Sequence, residues 1–142
     1  MMTFWKKLGG RLTRLPQSEP GCWIYVEAPT EEELRLLVYG YGVAESFIPD
    51  CLDEEESSHV DQEPGQTLVI VDLPVSQPGR EEGQTSYQTM PVGVILQERY
   101  FITVTMHPHP VFEEFFTGSV RECDPQLKTQ MLLHLWLRVT NH

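Results

Sequence analysis

The segment from residue 91 to residue 109, PVGVILQERYFITVTMHPH, constrains the fold of this chain more than any other. Two apolar, β-branched runs at residues 92–96 and 100–106 flank a short polar break, QER. Such residues favour extended backbone, and so short a break predicts an antiparallel hairpin. Nearly every position of both arms is apolar, which is typical of strands buried on both faces. We therefore expect a layered α/β sandwich in which helices cover each side of a sheet built around this hairpin.

Length and charge narrow the class of protein. At 142 residues, the chain is expected to form a single domain, residues 1–142, with a real core. Its formal net charge is −11, from 21 acidic and 10 basic residues, so the surface repels nucleic-acid phosphates and anionic lipid and attracts cations. No nucleic-acid partner is therefore expected.

Cysteine usage and hydropathy indicate the compartment. The three cysteines, Cys22, Cys51 and Cys123, form no CxxC pair, which fits buried thiols in a reducing cytoplasm. The first residues lack the apolar core of a signal peptide, and no stretch approaches the ~20 apolar residues that span a bilayer. We expect the chain as given to be soluble.

The N-terminal segment predicts a second hairpin. Residues 4–8 and 11–15 flank Gly9-Gly10, and glycine tolerates the positive φ that a two-residue hairpin turn needs. The segment carries four of the 10 basic residues and no acid, so a basic amphipathic membrane helix is the alternative. The glycine pair in its middle argues against that helix.

A strand at residues 22–26 and then a helix are predicted next. Thr30 and Glu33 have the spacing of a capping box, and three glutamates fill the first turn. From Leu34, apolar residues recur at i, i+3, i+4 and i+7, which predicts an amphipathic helix that Gly40 and Gly42 can end.

The middle of the chain is less regular. Residues 43–52 predict a helix that is short or broken at Pro49, and residues 61–65 predict a turn. Residues 68–71 predict a strand buried on both faces, and residues 74–83 a loop or wide hairpin connection that leads back to the central hairpin.

Two helices are predicted after the central hairpin. Pro110 suits a first helical position, and Gly118 can end this short helix. Asp124 and Pro125 have the pattern of an N-cap and first turn for the last helix. Its predicted apolar face consists of Leu127, Met131, Leu132, Leu135, Trp136 and Val139. So wide a face indicates that this helix continues or packs against more protein.

Two groups of residues could hold a metal. His107 and His109 lie two apart at a strand end, a spacing that can chelate a transition metal, although a polar turn is the simpler interpretation. The acidic run at residues 53–56, with His59 and Asp61, could hold Ca²⁺ or Mg²⁺, but it lacks the pattern of an EF-hand loop and fits a solvated loop. No spacing selects a nucleophile and a base, so an enzyme is not expected.

The order of these elements resembles a known family. Each piece is weakly specific, whereas the ordered set covers nearly the whole chain. After a tryptophan-bearing strand the pieces are PTEEEL (29–34), PDCLD (49–53), TLVIV (67–71), YQTMPVGVIL (87–96), FITV (101–104) and LLHLWL (132–137). In this order they resemble the N-terminal cytoplasmic domain of the CorA-type magnesium transporters.

The resemblance implies an α/β (α+β) fold: a three-layer α/β/α sandwich with a mixed, largely antiparallel central sheet. It implies a homopentamer at the cytoplasmic face of the membrane, with divalent cations as partners and no direct membrane contact by this domain. It also implies a regulatory Mg²⁺ between subunits, for which the matching carboxylates are Asp50 and Asp53. Pro49 departs from the glutamate that the family often has there. The stalk and pore segments are absent, so we expect an excised regulatory, cation-sensing domain.

Two other functions remain open. A free-standing acidic interaction module without transport activity would have the same composition. A small metalloenzyme would use His107 and His109, and stoichiometric zinc or iron in the purified protein would support it.

Overall fold

Among the residues that the structure describes, one seven-stranded sheet organises the protein. The computed structural model describes residues 1–78, 85–118 and 124–140. Along the chain the strands are β1 (Met2–Leu8), β2 (Arg11–Leu15), β3 (Trp23–Glu27), β4 (His59–Glu63), β5 (Gln66–Pro78), β6 (Thr85–Gln97) and β7 (Phe101–Thr105). Their order across the sheet is β2-β1-β3-β7-β6-β5-β4, and only β3 and β7 pair in parallel. The predicted mixed, largely antiparallel sheet is confirmed.

The predicted central hairpin is β6–β7. Gly93 lies opposite Val104, Leu96 opposite Phe101, and the Gln97 amide donates to the Tyr100 carbonyl at 3.0 Å. All five residues of β7 are buried. Apolar strands of this kind belong in the middle of a sheet that is covered on both sides.

The loop predicted at residues 74–83 is wrong for its first half. Residues 74–78 continue β5, which pairs with β6 over thirteen residues, from Gln66 opposite Gln97 to Pro78 opposite Thr85. A long antiparallel ladder therefore overrides the local Pro and Gly turn signals. Residues 79–84 lie outside the described residues.

The turn predicted at residues 61–65 is also wrong. Most of it is strand β4, in which His59 lies opposite Ile70 and Glu63 opposite Gln66. Only Pro64 and Gly65 form the turn, and Gly65 has the positive φ of 77° that a tight hairpin requires. β4 was missed because it is a polar edge strand without an apolar pattern.

The N-terminal hairpin is confirmed as β1–β2. Gly9 and Gly10 have φ of 59° and 81°, which is the pair of positive values found in a type I′ turn. β2 and β4 are thus the two outer strands of the sheet.

Helix α1 (Glu31–Arg35) has the predicted capping box. The Glu33 amide donates to Thr30 Oγ1 at 3.2 Å, and the Thr30 amide donates to Glu33 Oε1 at 3.0 Å. The predicted α-helical periodicity fails beyond it, because Leu36–Gly40 is a π-helical turn. A Cβ at position 40 would lie only 2.5 Å from Leu36 Cδ1, so the glycine leaves room for the Leu36 side chain in this π-helical turn.

The described part of the chain contains three further helices: α2 (Phe47–Leu52), α3 (Pro110–Phe116) and α4 (Lys128–Thr140). α3 begins at Pro110, as predicted. α4 begins one turn later than predicted, since Asp124 Oδ1 accepts from the Gln126 amide before the helix begins. Its apolar face is narrower than predicted, because Met131 and Leu135 are buried while Trp136 is 59% exposed. The side chain of Val139 and residue Cys123 lie outside the described parts.

The helices form the two outer layers of the predicted sandwich. α3 and α4 cover an aromatic face of the sheet, which carries Trp23, Tyr25 and Phe101 and packs against Phe112 and Phe115 of α3. α1, the π-helical turn and α2 cover an aliphatic face, which carries Ile24, Val26, Ile70, Ile95, Ile102 and Val104 and packs against Leu37 of the π-helical turn and Phe47 and Cys51 of α2. The core is therefore split by the sheet into two chemically different halves.

Candidate cation site

Helix α2 carries the first residue of the site. Phe47 and Cys51, four residues apart, are buried against the aliphatic face of the sheet. Gly93 makes this close approach possible, since a Cβ there would lie only 2.5 Å from Cys51 Sγ. Burial raises the pKa of the Cys51 thiol to about 12, so Cys51 is a packing residue and not a metal ligand. Asp50, its neighbour on the helix, remains partly exposed at the helix flank.

The chain then reverses in the acidic loop. The Glu55 amide donates to Asp53 Oδ1 at 2.9 Å, and the Glu56 amide donates to the Asp53 carbonyl at 3.1 Å. This Asx turn leads directly into β4, whose first residue is His59. His59 consequently faces the same side of the sheet as α2.

Asp50, Glu56 and His59 converge at this point. His59 Nε2 lies 3.2 Å from Asp50 Oδ2, and His59 Nδ1 lies 3.4 Å from Glu56 Oε1. One ligand atom from each of the three side chains falls within 4.8 Å of the others. Each side chain is between 24% and 32% exposed, so the cluster is accessible from solvent but not fully hydrated.

The histidine is oriented by the backbone. His59 Nδ1 lies 2.7 Å from the Ser57 carbonyl oxygen, and because a carbonyl can only accept, Nδ1 carries the proton. Nε2 therefore points at the Asp50 carboxylate. Two electron-rich atoms at this distance require a positive species between them, either a proton on Nε2 or a metal ion bound to both.

The pKa of His59 agrees with this geometry. The hydrogen bond to the Ser57 carbonyl raises it above the ordinary value, partial burial lowers it, and the Asp50 and Glu56 carboxylates raise it further. The net direction is upward, so the site favours a positive charge on the imidazole.

One imidazole nitrogen and two carboxylates are also donor groups that bind metal ions in proteins. In tetrahedral sites with bonds of about 2.0–2.2 Å, ligand atoms lie roughly 3.3–3.5 Å apart. The Asp50–His59 pair is close to this separation at 3.2 Å, and a Glu56 oxygen lies within 4.8 Å of the ligand atoms of both residues. Mg²⁺ uses one or two carboxylates and retains several waters, while an imidazole ligand favours Zn²⁺, Co²⁺ or Ni²⁺.

The structure separates the other predicted candidates. Asp53 is not part of the cluster, because its carboxylate caps the loop at Glu55. His107 pairs with Glu54, whereas both nitrogens of His109 are engaged: Nε2 with the Pro74 carbonyl at 2.8 Å and Nδ1 with the Val111 amide at 3.1 Å. His109 is the N-cap of α3, so the two histidines do not share a site.

Sequence reasoning named all three residues but did not join them into one site. Asp50 was indicated by the resemblance, whereas Glu56 and His59 were grouped with the acidic run, which was interpreted as a solvated loop. The spacing 50, 56, 59 matches no metal motif, and the contact depends on the Asx turn at Asp53. Glu56 followed by Ser-Ser-His at the start of a polar strand was the weak available signal.

These observations define a class of protein: an α/β/α sandwich domain with a carboxylate–histidine cluster beside one edge strand. The family described as CorA-like Mg²⁺ transporter protein matches residues 18–142, which is most of the chain. The chain belongs to the CorA-like Mg²⁺ transporter family. A comparison with curated protein sequences gives no match.

Solved structures share the fold. The soluble domain of CorA from Methanocaldococcus jannaschii has a TM-score of 0.74 and 18% identity, covering 99% of this chain and 56% of that chain. For the complete CorA magnesium transporter of the same organism, the TM-score is 0.73 with 18% identity, covering 99% and 44%. The ZntB cytoplasmic domain from Vibrio parahaemolyticus gives 0.71 and 10% identity, covering 98% and 57%.

The protein thus has the fold of the CorA soluble domain. It spans about half the length of the chains that it matches. Among the described residues, no helix has both the length and the apolar character needed to cross a bilayer.

Proposed function

We propose that this chain is a cation-sensing regulatory domain of a CorA-like divalent-cation transporter. It lies at the cytoplasmic face of the membrane and works as one subunit of a homopentamer. The observation that carries this proposal is the convergence of Asp50, Glu56 and His59 beside helix α2. Conduction itself belongs to the remainder of the transporter.

Charge supports a cation as the regulatory ligand. The acidic loop at residues 53–56 adjoins the cluster, and the net charge of the chain is −11. Such a surface raises the local concentration of divalent cations. Five copies of this charge in a ring would repel one another, and bound Mg²⁺ would reduce that repulsion. Release of the cation would then favour a more open arrangement of subunits.

Asp50 has the central role in this proposal. It lies on a helix held by the buried side chains Phe47 and Cys51, so a shift of α2 would move its carboxylate directly. Mg²⁺ binds to one or two protein carboxylates and keeps several of its own waters. Asp50 and Glu56 can supply the two carboxylates. The imidazole of His59 would add affinity for Zn²⁺ or Co²⁺.

The test is calorimetric titration of the purified chain with MgCl₂ and, separately, ZnCl₂. We expect binding to the parent chain and an affinity lower by at least about tenfold in Asp50→Asn. Asp53→Asn should bind like the parent, because the Asp53 carboxylate is occupied in capping the loop. Asp72→Asn, a half-buried aspartate on β5 outside the cluster, is the matched control.

The functional test uses the full-length transporter. With Asp50→Asn, inhibition of transport by intracellular Mg²⁺ should weaken. Unchanged cation affinity in the variant chain, together with unchanged inhibition in the variant transporter, would remove Asp50 from the mechanism and contradict the proposal.

A further inference from the structure

The connection between α2 and β4 contains no apolar side chain that could hold it by packing. Its sequence over residues 53–58 is DEEESS, and Glu56 is the one residue among them that is partly buried. The four consecutive carboxylates repel one another, and residues 36–79 contain no lysine or arginine. Contacts with polar groups elsewhere in the protein therefore decide where this segment lies.

The shape of the segment and its position have different origins. The Asx turn at Asp53 sets the shape through bonds to two following amides. Among the hydrogen bonds and ion pairs of the described residues, one joins the segment to a residue outside 50–59: Glu54 Oε1 accepts from His107 Nε2. Because an ionised carboxylate only accepts, Nε2 carries the proton of this bond. His107 thus ties the segment to the rest of the fold.

The backbone of His107 is itself anchored on both sides. It lies in the turn between β7 and α3, where the hydroxyl of the buried Thr105 donates to the His107 carbonyl at 2.8 Å. Two residues further on, His109 caps α3, and its Nε2 donates to the Pro74 carbonyl at 2.8 Å. The imidazole of His107 therefore projects from a fixed backbone toward a segment that has no packing of its own.

We infer that His107 is a positioning residue for the cation cluster of Asp50, Glu56 and His59, and that it acts by holding Glu54. Asp50 and His59 are placed by α2 and β4, whereas Glu56 depends on the loop for its position. Glu56 lies two residues beyond Glu54, so a loop that moves away from His107 takes the second carboxylate with it. The inference rests on the proposed cation binding, and it assigns no direct metal contact to His107.

The exposure of the pair separates this role from a contribution to overall stability. The side chains of His107 and Glu54 are 61% and 57% exposed. Ion pairs with this exposure contribute little to the free energy of unfolding. Loss of the contact should therefore loosen the loop and leave the midpoint of urea unfolding at the parent value. A residue with a general structural role would instead lower that midpoint.

The experiment is calorimetric titration of the purified chain with MgCl₂. Mg²⁺ binds one or two carboxylates, so its affinity depends on whether Glu56 is in place. We expect His107→Ala to lower the affinity by about three- to tenfold, which is less than the roughly 10–100-fold typical of groups that contact a ligand directly. His107→Gln retains an N–H donor at a similar reach and should recover most of the affinity.

The neighbouring acids supply a matched pair of variants. Glu54→Ala and Glu55→Ala remove the same charge from adjacent exposed positions, and Glu54 is the one of the two that contacts His107. Glu54→Ala should therefore weaken binding more than Glu55→Ala does, by about the factor seen in His107→Ala. The double variant His107→Ala/Glu54→Ala should bind no more weakly than Glu54→Ala alone, because both substitutions remove the same contact.

A second measurement needs no cation. Order parameters of backbone amides, from NMR relaxation, report how firmly the loop is held. For the amides of Glu55 and Glu56 we expect values near about 0.85 in the parent, as in rigid backbone, and below about 0.6 in His107→Ala. The amides of β7 should stay near the rigid value in both chains.

The results distinguish the inference from the proposed function. If the parent binds Mg²⁺, Asp50→Asn binds it more weakly and His107→Ala binds like the parent, the inference is wrong and the proposed function stands. If the parent binds no Mg²⁺, the proposed function fails and the cation role of His107 fails with it. Equal loop order parameters in the parent and His107→Ala, or a lower urea midpoint in His107→Ala, would also overturn the inference.

Discussion

The two faces of the sheet differ in what their side chains do. The aromatic face is filled by rings, with Trp23 within 5.1–6.3 Å of Tyr25, Phe101 and three phenylalanines of α3. The aliphatic face is covered by short helices, and at its β4 side α2 holds Asp50 against His59. The first face combines ring packing with a buried hydrogen bond between Trp23 and Thr103, whereas the second combines packing with a charged cluster.

Because of this difference, substitutions on the two faces are expected to have different effects. Removing one of the packed rings lowers the stability of the domain, but none of these rings belongs to the cation cluster. α2 is only six residues long and depends on two buried side chains, so a small displacement there moves the cluster. We therefore expect stability and cation binding to be separable by substitutions on opposite faces.

The largest effect is expected from Trp23→Ala on the aromatic face. Trp23 is 1% exposed, and its Nε1 donates to Thr103 Oγ1 at 3.0 Å inside the core. Truncation leaves a cavity and an unpaired hydroxyl, and we expect a loss of about 3–5 kcal/mol in the free energy of unfolding. Urea denaturation measures it, with Trp23→Phe as the milder control. Cation affinity of the folded fraction should not change, and a parallel loss of affinity would show that the two faces are coupled.

Gly93→Ala is the corresponding test on the aliphatic face. The new Cβ would meet Cys51 Sγ at 2.5 Å, so α2 must move, and we expect a loss of about 1–3 kcal/mol together with weaker cation binding. Adding Cys51→Ala removes that sulfur and should recover part of both losses. A double-mutant cycle with additive effects would show that Gly93 and Cys51 do not constrain the position of α2.

Sequence reasoning captured the elements whose signal is local. The β6–β7 hairpin was predictable because apolar, β-branched residues occupy both arms, and the β1–β2 hairpin because Gly9-Gly10 specifies its turn. The capping box at Thr30 and Glu33 was likewise visible, since both of its hydrogen bonds join residues three apart. In each case the determining residues are neighbours in sequence.

Two of the missed features depend on distant neighbours. β4 is a strand because Pro64-Gly65 folds it back onto β5, and its own polar residues do not predict that. Two further misses are local: Leu36–Gly40 is a π-helical turn, and Asp124 accepts from the Gln126 amide before α4 begins, and an apolar periodicity shows neither. The Asp50–His59 contact joins residues from a helix and an edge strand, so no spacing rule could have identified it.

Thr30→Ala tests whether all helices of the aliphatic face affect the cluster. Removing this N-cap hydroxyl should cost about 1 kcal/mol of unfolding free energy, because the Glu33 amide loses its acceptor. α1 does not contribute a residue to the cluster, so titration with ZnCl₂ should give the parent affinity. Thr30→Ser, which retains the hydroxyl, is the control. A change in affinity larger than the change in stability would extend the site to α1.

The smallest effect is expected from the pH dependence of stability at His59. Its folded-state pKa is raised, first by the Ser57 carbonyl and then by Asp50 and Glu56, so the protonated imidazole stabilises the folded chain. That contribution is fully present below the ordinary histidine pKa of about 6.5 and is lost as the pH rises through the higher folded value. Because the ion pairs are partly exposed, it should be below about 1 kcal/mol. Unfolding free energies measured across this interval should decline more in the parent than in His59→Gln. Equal slopes would mean that Asp50 and His59 are held together by packing of α2 on the aliphatic face, with no contribution from charge.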